Sequence, residues 1–111
     1  MSVIHFQEEA KTMIEKAPPW AAGFLKADSF NVEIRIADNK RKPRLHICSQ
    51  DEFFFVLHGE LEVMAESEGA SVLKEGDGIL IPAGVKHVTR PIKEGSYWIL
   101  VSKPHRHTYY D

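Results

Sequence analysis

Closely spaced turn signals constrain the fold of this chain more than any other feature of its sequence. From about residue 32 onward, short apolar-rich runs are separated by turns such as His58-Gly59, Gly76-Asp77-Gly78 and Pro82-Ala83-Gly84. Connections this short leave no room for the crossovers that parallel strands need. The sequence therefore predicts about eight mainly antiparallel strands, closed as a barrel or folded as a double-sheet jelly roll. The predicted strands lie at about 32–36, 44–48, 52–57, 60–66, 71–73, 79–81, 86–90 and 96–102.

In the segment before these strands, the apolar residues follow the period of a helix. Apolar residues recur at three- and four-residue steps, which predicts a short amphipathic helix that ends at Pro18-Pro19. These residues are Phe6, Ala10, Met13, Ile14 and Ala17. We expect a single domain, 1–111, with a helix and arm over 1–28, a β-barrel over 29–103 and a tail over 104–111.

Length and charge exclude several classes of protein. The chain has 111 residues and a mass of 12.6 kDa, which suits one compact domain. Its 14 Lys and Arg residues against 16 Asp and Glu residues give a net charge of −2. No positive field is available to gather nucleic acid or anionic lipid, so we expect neither partner.

The number of cysteines indicates whether the protein works in an oxidising or a reducing compartment. Cys48 is the single cysteine, which excludes a disulfide-stapled scaffold and favours a reducing environment. The first residues lack the basic and apolar regions of a signal peptide, and no apolar run reaches the length of a membrane span. We expect a cytoplasmic protein.

The run Phe53-Phe54-Phe55-Val56-Leu57 is apolar on both faces of its strand, so both faces must be covered. One face fills the barrel. The other needs the N-terminal helix, the 18–25 stretch or a second subunit, and we expect a homodimer. The alternative is that the helix alone covers this face.

Potential metal ligands recur near the predicted barrel interior. His46 and Cys48 are two residues apart on one strand, so their side chains share a face. Glu52 opens the next strand on the face that carries Phe54 and Val56, which predicts a carboxylate at the rim of an apolar cavity. Such a carboxylate is costly unless a cation pairs with it, and a metal ion would serve.

His87 follows the Pro82-Ala83-Gly84 turn at the start of a later strand. With it, the sequence resembles the cupin superfamily over about residues 40 to 91. That superfamily's first motif has two histidines with one residue between them, then a glutamate and a glycine. Here these positions hold His46, Cys48, Glu52 and Gly59. Its second motif has a glycine, Pro-x-Gly and a histidine, which match Gly76, Pro82, Gly84 and His87. Cys48, Lys40 and Pro91 depart from the usual histidine, glycine and asparagine.

The resemblance implies an antiparallel jelly-roll barrel with a metal site on His46, Glu52 and His87. Two histidines and one carboxylate form the facial triad of non-heme Fe(II) sites, with Mn, Ni or Zn as other candidates. Cys48 is either a fourth ligand, which would favour Zn, or a buried packing residue. Phe54, Val56 and Thr89 are the candidate substrate-pocket residues.

The leading functional hypothesis is a metal-dependent enzyme, dioxygenase-like, that acts on a small organic substrate in the barrel. No catalytic residue beyond the ligands is assigned. Around Glu52, Phe53-Phe54-Phe55 and Arg90-Pro91 the sequence also resembles 3-hydroxyanthranilate dioxygenases, which hold the substrate carboxylate with arginines. The alternatives are a non-catalytic small-molecule sensor and a sugar-isomerase-like cupin.

The remaining histidines and a basic run have simpler interpretations. We expect His5 and His58 to be solvated, and His105 and His107 to lie in a frayed, exposed tail. The run Lys40-Arg41-Lys42-Pro43-Arg44 is predicted to be a solvated edge loop. If it overhangs the barrel mouth, it would attract an anionic substrate.

Overall fold

A computed structural model of the chain describes residues 3–16, 22–38 and 42–110. This part of the chain forms one helix and ten strands. In chain order they are α1 (Phe6–Ile14), β1 (Ala22–Lys26), β2 (Asn31–Ile36), β3 (His46–Cys48), β4 (Glu52–His58), β5 (Glu60–Ala65), β6 (Gly69–Lys74), β7 (Gly78–Ile81), β8 (His87–Pro91), β9 (Tyr97–Ser102) and β10 (Thr108–Tyr110).

The strands form two five-stranded sheets in which the recorded pairings are antiparallel. The first sheet has the order β1-β2-β9-β4-β7 and the second has the order β10-β3-β8-β5-β6. Short turns join β4 to β5, β5 to β6 and β6 to β7, as the turn signals predict. The predicted all-β antiparallel jelly roll with a short N-terminal helix is confirmed.

The main core lies between the sheets and follows the two-residue period of the strands. On β4, the side chains of Glu52, Phe54 and Val56 are buried, whereas Phe53 and Phe55 lie on the outer face. The central strand β9 alternates in the same way, with Trp98 and Leu100 inward. The buried apolar cluster comprises Ala37, Phe54, Val56, Leu61, Val63, Leu73, Ile81, Trp98 and Leu100.

Helix α1 covers one end of the outer face of the first sheet. Its Ala10 is completely buried and belongs to a second cluster with Ile34, Ile36 and Tyr97. The helix is confirmed, but it ends at Ile14, earlier than the predicted stop at Pro18-Pro19; Ala17 and the two prolines lie outside the described residues. No helix in the described ranges is both long and apolar enough to cross a membrane.

The other end of this face is open. Phe53 and Phe55 are 40% and 36% exposed, and Leu80, the partner of Phe53 on β7, is 62% exposed. The cluster that contains Ala10 of α1 has Leu57 of β4 packed against it but neither Phe53 nor Phe55, so the helix leaves these two side chains partly exposed.

Two strands, β1 and β10, fall outside the range predicted for the barrel. β10 pairs with β3 from Thr108↔Cys48 to Tyr110↔His46, and the backbone of His107 exchanges hydrogen bonds with Ser49. The prediction of a frayed end around His105 and His107 is wrong, since this pairing fixes the segment; both histidine side chains are nevertheless exposed, as expected.

The β4–β5 turn yields a stability prediction. Gly59 has φ +82°, and a Cβ built on it would collide with the side chain of Ser96, whose Oγ accepts from Glu60 N and donates to Lys93 O. Gly69 has nearly the same φ, +80°, but open space around it. Because Gly59→Ala adds a collision to the backbone strain, we expect it to lower the free energy of unfolding by about 2–4 kcal/mol.

Gly69→Ala is the matched control, since it carries the strain alone and should cost only about 1 kcal/mol. Urea unfolding of the two variants measures the difference. Equal losses would mean that Ser96 moves aside and does not hold the turn.

Candidate metal centre

The two cupin-like motifs place four potential donor residues at one point of the barrel. His46 and Cys48 lie on β3, Glu52 begins β4 and His87 begins β8. One donor atom from each residue lies within 4.8 Å of the others. His46 and His87 are direct partners across β3 and β8, with ring centroids 4.2 Å apart.

The turn before His87 is tied to the chain before Glu52. Ala83 N donates to Asp51 Oδ1 at 2.8 Å, and Gly84 N donates to the carbonyl of Cys48 at 3.0 Å. Gly84 adopts φ +82°, a conformation that glycine tolerates best. The Pro-x-Gly signal in the sequence therefore sets the position of His87 relative to the other three residues.

Backbone carbonyls fix the tautomers of both imidazoles. His46 Nδ1 lies 2.9 Å from the carbonyl of Arg44, and His87 Nδ1 lies 2.9 Å from the carbonyl of Val85. A carbonyl only accepts, so each Nδ1 carries the proton and donates it. In the neutral ring, Nε2 then has the lone pair, which is the state in which histidine binds a metal.

Glu52 Oε1 and His87 Nε2 are buried and have no hydrogen-bond partner within the described residues. They are 3.4 Å apart, beyond the usual length of a hydrogen bond. Buried polar atoms without partners are rare and costly. A cation between these atoms would satisfy both.

Arg106 is a site residue that the sequence-based prediction missed. Its Nη1 donates to Glu52 Oε2 at 2.6 Å, and its Nη2 lies 3.6 Å from Glu33 Oε2. His105 beside it has φ 62°, a left-handed backbone conformation that is uncommon for a residue other than glycine. No spacing signal in the sequence links position 106 to Glu52. The available hint of a role was that this basic residue lies between two histidines, shortly after a predicted strand.

Arg106 also changes the argument from Glu52. The carboxylate is only 3% exposed, deeper than the predicted rim position, and it already has a cationic partner. The cost of burying Glu52 therefore does not by itself require a metal. The atoms that an ion would contact are the second oxygen, Oε1, and the two Nε2 atoms.

The pKa values of the site reflect burial opposed by close charges. Burial alone would raise the pKa of Glu52, but polar contacts with His87 and Cys48 and the charge of Arg106 lower it. Burial would lower the pKa of His87, and contact with the Glu52 carboxylate raises it instead. Burial lowers the pKa of His46. Burial and the nearby Glu52 raise the pKa of the Cys48 thiol to about 11.

A cavity of about 200 Å³ adjoins the donor residues and shares lining residues with an outer cavity of about 460 Å³. Of the predicted pocket residues, Phe54 lines the inner cavity and Thr89 lines both. Val56 is completely buried in the apolar core cluster. The inner cavity also contains Arg35, Trp98 and Leu100, which the sequence-based prediction did not single out.

The basic run is at the outer cavity as far as it is described. Lys42 and Arg44 line that cavity, and the Arg44 guanidinium lies 4.4 Å from the centroid of the Tyr110 ring; Lys40 and Arg41 lie outside the described residues.

Arg90, which carried part of the dioxygenase resemblance, is exposed and alternates with the inward-facing Thr89. His5 and His58 are exposed, as expected.

The donor set fits a divalent transition-metal ion. Two imidazole nitrogens and one carboxylate oxygen suit Fe, Mn, Ni and Zn, and Cys48 Sγ lies close enough to add a softer donor. The fixed tautomers and the contact of Arg106 with Glu52 are the outer-shell support that such sites use.

Comparison with solved structures supports the same fold. A cupin-2 domain containing protein from Shewanella frigidimarina superposes with a TM-score of 0.70 at 19% identity, over 89% of this chain and 92% of that chain. The salicylate 1,2-dioxygenase of Pseudaminobacter salicylatoxidans gives a TM-score of 0.75 at 17% identity, over 95% of this chain and 37% of that chain. At these identities the likeness extends to the fold alone.

Sequence comparison gives the family. An uncharacterized protein of Bacillus subtilis (strain 168), YdbB, is 44% identical over 45 residues, and the match spans 40% of this chain and 40% of that relative. A family model described as a cupin domain matches residues 32–101, from β2 to β9, and this range includes all four potential donor residues. The chain therefore belongs to the cupin domain family.

Proposed function

We propose that this cupin is a metal-dependent enzyme, dioxygenase-like, that holds Fe(II) on His46, Glu52 and His87 and acts on a small organic substrate in the barrel. The observation that carries the proposal is the convergence of His87 Nε2 and Glu52 Oε1, both buried and without a hydrogen-bond partner in the described ranges. His46, its tautomer fixed by Arg44 O, presents a third donor at the same point.

The ion would supply Lewis acidity and open coordination positions for substrate and dioxygen. The chain's own residues prepare the site for it. Arg106 binds one oxygen of Glu52 and so orients the other towards the histidines. Phe54, Trp98 and Leu100 supply the apolar part of the lining of the inner cavity beside the donor residues.

Support for the dioxygenase assignment comes from the donor set and from the similarity in fold to a salicylate 1,2-dioxygenase. Cupin structures serve several reactions, so fold likeness alone does not select one. The alternatives remain a non-catalytic small-molecule sensor and a sugar-isomerase-like cupin. The isomerase-like alternative would convert its substrate without consuming dioxygen. The sensor would bind its ligand without forming a product.

Metal retention tests the centre directly. Protein purified without a histidine tag and reconstituted anaerobically with Fe(II) is expected to hold nearly one ion per chain by elemental analysis. His87→Gln replaces an imidazole nitrogen by an amide, and Glu52→Gln replaces a charged carboxylate oxygen by a neutral amide oxygen. Because both changes weaken a donor, we expect each variant to bind the ion at least about a hundredfold less tightly.

His58→Gln is the matched control, since His58 is an exposed histidine whose ring pairs only loosely with Glu75 at 3.9 Å. Unfolding curves of all variants verify that they fold. Absence of metal in the reconstituted wild type, or an equal loss in His58→Gln, would contradict the proposed centre.

Turnover separates the enzyme from its alternatives. We expect Fe(II)-loaded wild type to consume dioxygen with an aromatic or 1,3-dicarbonyl compound, measured with an oxygen electrode, and His87→Gln to consume none. Substrate conversion without dioxygen uptake would favour the isomerase-like alternative. Ligand binding without product would favour the sensor, and turnover retained in both His87→Gln and Glu52→Gln would exclude a metal-centred reaction.

We also propose a cytoplasmic location. Cys48 is a free, buried thiol, and both a free thiol and Fe(II) persist best in a reducing compartment.

We further propose a homodimer through the open part of the first sheet, where Phe53, Phe55 and Leu80 are exposed on neighbouring strands. Sedimentation is expected to give about twice the chain mass of 12.6 kDa. The double variant Phe53→Ser, Phe55→Ser should sediment as a monomer. Val72→Ser, an exposed apolar position of the other sheet, should leave the mass unchanged, and a monomeric wild type would refute the proposal.

A further inference from the structure

Among the residues that line the two cavities, three carry a group that can donate a hydrogen bond but has no partner within the described residues. These groups are Arg35 Nε, Thr89 Oγ1 and Trp98 Nε1, and all three atoms are buried. None of them belongs to the proposed metal ligands. Each residue lines both the inner cavity of about 200 Å³ and the outer cavity. Unpaired buried groups of this kind are expected to meet a ligand or ordered water.

The three groups come from both sheets and share one space. Arg35 on β2 and Trp98 on β9 are direct partners in the first sheet, and both line the cavity. Thr89 lies on β8 in the second sheet, two residues after His87 and therefore on the same face. A ligand between the sheets would meet these groups and the metal donors together.

The chemistry of the groups specifies an acceptor. A guanidinium Nε–H and an indole Nε1–H only donate, and a threonine hydroxyl can donate as well. The other end of the Arg35 guanidinium is already held by Glu33, at 3.3 Å from Nη2 to Oε2. The Nε–H is a buried part of Arg35 that has no partner in the described residues.

The charge of the loaded site also favours an anion. Arg35 and Arg106 are balanced by the carboxylates that they contact, Glu33 and Glu52. With neutral imidazoles, a divalent ion would add two positive charges to this balanced set. A bound anion would offset part of this charge.

We infer that the cavity takes a small organic carboxylate, whose oxygens accept hydrogen bonds from Arg35 Nε and Trp98 Nε1 with Thr89 Oγ1 as a third contact. The inference rests on the proposed metal-dependent function and names its substrate class. The apolar part of the acid would lie against Phe54 and Leu100, which line the inner cavity. The carboxylate subsite is distinct from the outer basic residues Lys42 and Arg44.

Benzoate and benzamide test this inference, because they share a shape but only benzoate carries a charged acceptor. Both are titrated calorimetrically into Zn²⁺-loaded protein, in which the metal is redox-inactive and no turnover interferes. We expect benzoate to bind at least about tenfold more tightly than benzamide, as a hydrogen bond to a charged group implies.

Trp98→Phe removes the indole N–H and keeps most of the ring, and Thr89→Val removes the hydroxyl at nearly constant volume. We expect Trp98→Phe to weaken benzoate binding about tenfold, Thr89→Val to weaken it about threefold, and both to change benzamide binding by less than about twofold. Arg90→Gln, an exposed arginine on the same strand as Thr89, is the control and should change neither. If one of the two cavity variants fails to fold, the other still tests the proposed hydrogen bonds to the carboxylate.

Metal content measured on the same samples separates the two proposals. If wild type retains no Zn²⁺, the proposed function fails, and titrations of the metal-free protein still show whether benzoate depends on Trp98 and Thr89. If Zn²⁺ is retained but benzoate binds no better than benzamide, or does not bind, the carboxylate subsite is refuted. A benzoate preference that survives in both cavity variants also refutes it, because the carboxylate would then be held elsewhere, for example by the ion.

Discussion

The buried carboxylate of Glu52 is the group on which the arrangement of this site depends. Burial opposes its charge, yet polar contacts and the charge of Arg106 keep its pKa below the usual value. One oxygen is bound by Arg106, and the other lies beside His87 without a hydrogen bond in the described residues. Anchoring one oxygen fixes the direction of the other, and this is how the C-terminal segment shapes a site built from β3, β4 and β8.

Glu33 extends this network across the first sheet from β4 to β2. Its carboxylate contacts both Arg35, two residues along β2, and Arg106 from the C-terminal segment. Two cations and two anions therefore alternate from Arg35 to Glu52, and each charge of the set has an opposite charge beside it. Such a compensated arrangement can be buried at moderate cost, whereas a lone arginine or carboxylate could not.

Local sequence features predicted the parts of the site that depend on strand alternation and turn chemistry. His46 and Cys48 share a face because they are two residues apart, and Gly84 marks the turn that leads into His87. Arg106 and Arg35 were missed because their roles depend on pairing between distant strands, which a single sequence does not reveal. The three-residue strand β10 was missed for the same reason: its short polar-aromatic run gains order only from pairing with β3.

The pairing of β3 with β8 has a mechanical consequence. The structure records one paired position between these strands, His46↔His87, whereas β5 and β8 pair over five positions. The seam between β3 and β8 is thus the weakest part of the second sheet, and it is located where the two imidazoles converge. An ion held by both rings would cross-link β3 and β8 at this position. The stability of the barrel wall would then depend on the concentration of metal in the surroundings.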